Sequence, residues 1–289
     1  MSLSDILVCL DSTSAGQGRL KLALQLAQQH DAYLTAAYVL EPTSNSRFVQ
    51  AEPAAARLSG AEGWFGDSAA HSGPVLSTVA RAEEGEASFR QALRLHGLDG
   101  DWRLVDGPNT AQVVELAKSV DLVILGQYSR GAHNGTGFHP DEIAVACGRP
   151  LLIVPYAGEF GTVGKHVLIA WDGTREATRA LNDALPLIET AMSATVMTVL
   201  SQEKQLQRVH ADLQRVVGHL EHHGVSARAE ETLRGDMAIS DLFLSRAADL
   251  GADMIVAGAY HHSQLREALI GGVSRDLLRH MTVPVLMSH

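Results

Sequence analysis

The run Asp5-Ile6-Leu7-Val8-Cys9-Leu10-Asp11-Ser12 returns as His166-Val167-Leu168-Ile169-Ala170-Trp171-Asp172-Gly173. In both places a short apolar run ends in Asp and a small residue, and a helix-period pattern follows. Leu20, Ala23, Leu24 and Ala27 make the apolar stripe in the first case, and Ala177, Leu181, Ala184 and Leu185 in the second. Strand-like Leu34–Leu40 and Ala194–Leu200 come next. Val120–Gly126 then pairs with Ala252–Gly258, and Arg149–Pro155 with Val283–Met287. Gly107 and Gly235 punctuate corresponding loops. Four matches in one order point to a duplicated unit, and a repeat constrains the fold more than any single motif does.

Continuous apolar strands alternating with amphipathic helices are what a parallel sheet covered on both faces requires. Each unit therefore reads β-α-β-α-β-α-β-α-β. The expected fold class is α/β, with two doubly wound, mostly parallel five-stranded sheets. Domains are expected at 1–157 and 164–289, with glycine-rich Tyr156–Gly164 between them. The units differ in the middle. The first carries an inserted segment, 43–80, whose stretch Thr43–Gly73 is rich in Ala, Ser, Gly and Glu and includes Trp64 and Phe65. It reads as a surface excursion or as a lid or docking segment anchored by the two aromatics.

A length of 289 residues suits two domains of about 100–150 residues. The net charge of −10 argues against sequence-independent nucleic-acid binding, which needs a positive field. Lysine occurs only at 21, 118, 165 and 204, and no basic stripe emerges. Cys9 and Cys147 fall in a buried strand and a helix end, without the spacing of a disulfide framework or a zinc site. The start of the chain lacks a basic n-region, and no apolar run reaches membrane-spanning length, so the expected location is the cytoplasm, with no membrane partner.

In open α/β sheets, ligands bind beyond the carboxyl ends of the strands, where strand order reverses. In the second unit those ends are Ala170-Trp171-Asp172, Val199 and Gly258. The loop after Gly258 passes His261 and closes on Gly271-Gly272-Val273-Ser274, where the last helix begins. Glycine there lets the backbone approach a phosphate, free N–H groups donate to it, and the helix dipole favours its charge. The same Gly-Gly would also serve as a cap or tight turn.

These residues carry a resemblance. The chain resembles a tandem universal stress protein, with one family domain in each half. The resemblance implies an adenine nucleotide alpha hydrolase-like fold in which the two domains pair as an intramolecular pseudo-dimer through Leu151–Pro155 and Val283–Met287. The family's nucleotide-binding members carry Gly-x2-Gly-x9-Gly-(Ser/Thr) after the fourth strand and an acidic residue ending the first. Asp172 matches the acidic residue, Val199 the second-strand position, and Gly258 and Gly271 the first and third glycines, while Val273 and Ser274 follow the motif. The implied ligand is ATP or another adenine nucleotide, with or without magnesium. Base and ribose would lie toward Asp172 and Val199, and phosphates on the glycine loop.

The chain departs from that pattern at two places in the second unit. His261 stands where the second glycine is expected, and Gly272 where the Ser/Thr is expected. Trp171 would stack on a base or fill the mouth of the site. In the first unit Asp11 and Gly126 persist. Phe138 and His139 take the phosphate-facing positions after Gly137, and Pro140 removes a donor. A degenerate partner domain is expected there.

The chain holds no Walker Gly-x4-Gly-Lys-(Ser/Thr) and no Gly-x-Ser-x-Gly nucleophile elbow, since Gly272-Val273-Ser274-Arg275-Asp276 fails at its last position. No catalytic residue is therefore assigned. His219, His222 and His223, at helical spacing on Gln202–His223, read as a solvated face rather than a metal site. Two functions remain in view, beside a third and weaker one, an enzyme with slow nucleotide hydrolysis. One is a stress-response protein that binds an adenine nucleotide in its second domain and acts as a nucleotide-dependent regulator, not a fast enzyme, read by an unknown protein partner. The other is an interaction or scaffold protein of the same fold without a nucleotide. A homo-oligomer, a dimer, is expected in either case.

Overall fold

The computed structural model describes residues 3–40, 73–128, 138–202, 206–259 and 272–289. Its first half runs β1 (Asp5–Leu10), α1 (Ser14–His30), β2 (Tyr33–Leu40), α2 (Gly73–His96), β3 (Gly100–Asp106), α3 (Thr110–Ala117), β4 (Leu122–Gly126), α4 (Pro140–Cys147) and β5 (Leu151–Val154). The second half repeats the order as β6 (His166–Ala170), α5 (Arg175–Ile188), β7 (Ser193–Leu200), α6 (Leu206–His222), β8 (Ala227–Leu233), α7 (Ile239–Asp249), β9 (Met254–Gly258), α8 (Gly272–His280) and β10 (Val285–Ser288).

The strands form one mixed sheet in the order β3-β2-β1-β4-β5-β10-β9-β6-β7-β8. Within each half every pairing is parallel, and the halves meet where β5 runs antiparallel to β10, Leu152 opposite Leu286. The two expected five-stranded sheets are thus joined edge to edge into a single ten-stranded one. Each half places its last strand at an apolar edge, and joining the two satisfies backbone groups that would otherwise face solvent.

Strand alternation sorts the core into two layers. Ile6 and Val8 of β1 face the layer built on α1, α2, α5 and α6, whereas Leu7 and Cys9 face the layer built on α3, α4, α7 and α8. Each layer runs through both halves without interruption.

Helix starts follow local chemistry. Thr13 and Thr174 cap α1 and α5, each hydroxyl accepting from the N–H three residues on. Asp121 and Asp253 do the corresponding work at strand starts. Asp121 accepts from the N–H groups of Ser4 and Asp5, and Asp253 from those of Gly164, Lys165 and His166. Gly107 and Gly235 both adopt left-handed φ, at 60° and 55°, as their punctuating role requires. Of the inserted segment 43–80, residues 43–72, with Trp64 and Phe65, lie outside the described residues. The remainder belongs to α2, so the regular structure begins earlier than the composition suggested. Among the described residues no helix is long and apolar enough to cross a membrane.

Candidate functional site

In the second half the chain goes from β6 through α5 to β7 on one side, and later returns to β9 on the other side of β6. This reversal is a topological switch point, where splayed connections leave a crevice beyond the strand ends. A cavity of about 330 Å³ opens there, within the range of small-molecule sites. Ala170, Trp171 and Asp172 reach it from the end of β6, Val199 from β7, and Gly258 from β9. Gly272, Val273 and Ser274 line it from the first turn of α8. Eight residues singled out in the sequence therefore converge on one space. His261 and Gly271 lie outside the described residues.

Each wall has a local cause. Asp172 is exposed. Its Oδ1 accepts from the N–H of Thr174 at 3.0 Å and from the Thr174 hydroxyl at 2.6 Å, a turn that starts α5 and uses one carboxylate oxygen only. Trp171 is buried, and its indole N–H donates to Asp212 Oδ2 at 2.8 Å. The ring is therefore held against α6 as part of the wall, and of the two roles open to it, filling the mouth is the one its packing matches. Gly258 admits no side chain: a Cβ there would lie 2.7 Å from the Ala177 nitrogen and from the Glu176 carbonyl carbon. The first turn of α8 lines the cavity, with the Ser274 hydroxyl 3.5 Å from the Gly258 carbonyl.

Further wall residues carried no sequence signal of their own. Ile239 and Phe243 come from α7 and Leu277 from α8, and only the crossover topology brings them here. Thr174 and Glu176 follow Asp172 directly, and their nearness was available from the repeat.

The first half has the same switch point, between β1 and β4, with different contents. Asp11 is 6% exposed and pairs through Oδ2 with Arg19 Nη2 at 2.5 Å, while Arg19 is 1% exposed and also donates from Nε to the Cys9 carbonyl. The Thr13 hydroxyl closes on Asp11 Oδ1. Arg19 crowds the spot beside Gly126, where a Cβ would lie 2.5 Å from Nη1. In the second half Ala180 stands where Arg19 stands in the first. Phe138 is buried in the core at 1% exposure, His139 stacks on Tyr128 with ring centroids 4.0 Å apart, and Pro140 occupies the first turn of α4. Gly137 lies outside the described residues. The acidic residue of this half is thus neutralised from within, by a residue the motif comparison did not single out.

Burial pushes the Cys9 thiol up to about 12, against the opposing pull of Arg19, so it carries no thiolate at neutral pH. His219 and His223 meet edge to ring at 4.8 Å near the end of α6, whose described span is Leu206–His222. Among the described residues no group of three or more His, Cys, Asp or Glu side chains is placed to hold a metal.

Residues 164–289 match the model of the Universal stress protein family. Universal stress protein Slr1230 of Synechocystis is 25% identical over 175 residues, 60% of this chain. The chain spans 59% of the length of that relative. Among solved structures, a universal stress protein from Archaeoglobus fulgidus superposes with a TM-score of 0.69 at 16% identity, covering 98% of this chain and 95% of its own. A protein of unknown function from Pseudomonas aeruginosa PAO1 superposes with a TM-score of 0.59 at 16% identity, covering 99% and 92%. These superpositions establish the shared α/β fold across the whole chain.

Proposed function

We propose that the chain is a tandem universal stress protein, with domains at 1–157 and 164–289, whose second domain binds an adenine nucleotide and acts as a nucleotide-dependent regulator. One observation carries the reading. Ala170, Trp171, Asp172, Val199, Gly258, Gly272, Val273 and Ser274, chosen on sequence grounds, face a single cavity at the switch point. The free oxygen of Asp172 suits a ribose hydroxyl, the apolar wall near Val199 suits a base, and the first turn of α8 suits a phosphate. Gly271 and His261 belong to the same proposed site.

The described wall contains no lysine or arginine. Fast phosphoryl transfer depends on a cation clamp, so binding, read out by a protein partner, is the activity assigned rather than turnover. The first domain favours the second reading, of a scaffold without nucleotide, for its own half, because Arg19 already occupies the partner position of Asp11. The pairing of two such halves leaves β3 and β8 as the outer strands, and a homodimer in the cytoplasm is the proposed working form.

The test is mass spectrometry of small molecules released from freshly purified, denatured protein, followed by calorimetry with ATP, ADP, AMP and adenosine. Asp172→Ala should weaken binding at least about tenfold, the size of a lost charge-assisted hydrogen bond. Absence of binding by all four ligands at millimolar concentration would leave only the scaffold reading.

A further inference from the structure

Among the described residues, one buried polar atom of the cavity wall has no contact that explains it. Glu176, in the first turn of α5, is 7% exposed, and its Oε2 is buried with no hydrogen-bond partner. Its other oxygen lies 3.5 Å from Arg175 Nη2, but Arg175 is itself exposed, so that pairing is screened and does not reach the inner oxygen. A buried carboxylate oxygen without a donor is costly to fold. The N-terminal dipole of α5 offsets part of that cost. The residue at the matching place in the first half is Ala15, and there the buried charge is a paired arginine instead.

Position gives the carboxylate its meaning. Glu176 packs directly on Gly258, where a Cβ would lie 3.0 Å from the Glu176 Cβ, and the Ser274 hydroxyl of α8 approaches the same glycine. Glu176 and the first turn of α8 thus approach the same glycine. Two carboxylates and no lysine or arginine line the described wall.

We infer that Glu176 is a specificity-determining residue: its charge, held beside Gly258, selects adenosine or its monophosphate over the triphosphate. This rests on the adenine-nucleotide reading above and refines it. A phosphate on the first turn of α8 lies across Gly258 from a negative charge, and each added phosphate charge works against the same field. At the effective dielectric of a partly open site, charges at such range shift affinity by about tenfold per unit.

The experiment is calorimetry of the full chain with adenosine, AMP and ATP at one ionic strength, without divalent cations, on the wild type, Glu176→Gln and Glu176→Ala, with thermal melts to confirm that each variant is folded. The wild type should bind AMP at least about tenfold more tightly than ATP. Glu176→Gln keeps the shape and loses the charge, so ATP should gain about tenfold while adenosine stays within about threefold. Glu176→Ala also loses the charge, so ATP should gain there too while adenosine again stays within about threefold. If ATP binds the wild type more tightly than AMP and Glu176→Gln leaves the ratio unchanged, the role of Glu176 is overturned while the nucleotide reading stands. If no adenine ligand binds the wild type, both fall.

Discussion

Two acidic residues that look equivalent in the sequence, Asp11 and Asp172, meet opposite fates, and a single substitution accounts for it. Arg19 reaches across the first turn of α1 to Asp11, whereas its counterpart Ala180 has nothing to offer Asp172. A buried ion pair adds little net stability, because desolvation consumes the Coulomb gain, but breaking it leaves one charge stranded. Arg19→Leu should therefore destabilise the protein by about 3–5 kcal/mol, seen as a fall in the urea midpoint at unchanged slope. Arg19→Leu combined with Asp11→Leu should recover much of that loss. A double variant as unstable as the single one would show that the arginine matters through packing rather than charge. None of this was legible from the repeat. Asp11 and its small neighbour were visible in the aligned runs, but the partner sits eight residues on, where a helix pattern disguises a buried arginine as one more exposed position.

At the scale of elements, α8 links the candidate site to the other half. Its first turn lines the cavity, and its last carbonyls, those of Leu278 and Arg279, accept from Gln127 Nε2 at 2.8 and 3.0 Å. Gln127 follows β4 in the first half, is buried, and also accepts from the Tyr156 N–H through Oε1. One side chain thus closes the C-terminus of α8 and fixes the chain leaving β5. Gln127→Ala leaves buried carbonyls without donors, at a cost of about 1–3 kcal/mol. On the proposed function, calorimetry on this variant should also show weaker binding of adenine nucleotide, since the far end of the same helix would lose its anchor. A full loss of stability with unchanged binding would confine Gln127 to a structural role.

The strands were readable because parallel strands buried on both faces stand out as short apolar runs. The cavity was readable where its walls follow strand ends, at Asp172, Val199 and Gly258. Gln127 was not, since its partners are about 150 residues away and belong to helix carbonyls that leave no mark in sequence. Ile239 and Phe243 were missed for the same reason: their stripe says only that α7 has a buried face, and the crossover decides what that face meets.

For the molecule as a whole, the question is whether two repeated halves behave as two bodies or one. His30, in the last turn of α1, is half-buried with Nε2 unpartnered, and burial holds its pKa below the usual 6.5, against the opposing pull of Glu189 from the end of α5 in the other half. The unfolded chain therefore takes up this proton first on acidification. The corresponding stability is complete above pH 6.5 and is lost as pH falls through the folded-state value. Urea titrations at pH 7.5 and 5.5 should show a loss on acidification that His30→Gln reduces.

The sheet makes the stronger claim. Both hydrophobic layers run from one half into the other, and Leu286 lies in the same layer as Ile6 and Ile169, opposite Leu152 at the antiparallel seam. Removing its side chain opens a cavity that belongs to neither half alone. Leu286→Ala should cost about 2–5 kcal/mol, and hydrogen exchange followed by mass spectrometry should find β1 and β6 losing protection together at one lower urea concentration. If β6 opens while β1 keeps its wild-type protection, the halves are independent folding units and the shared layers do not couple them. A single transition would mean that ligand binding at the second half's cavity stabilises the first half as well, by mass action on one common unfolding equilibrium.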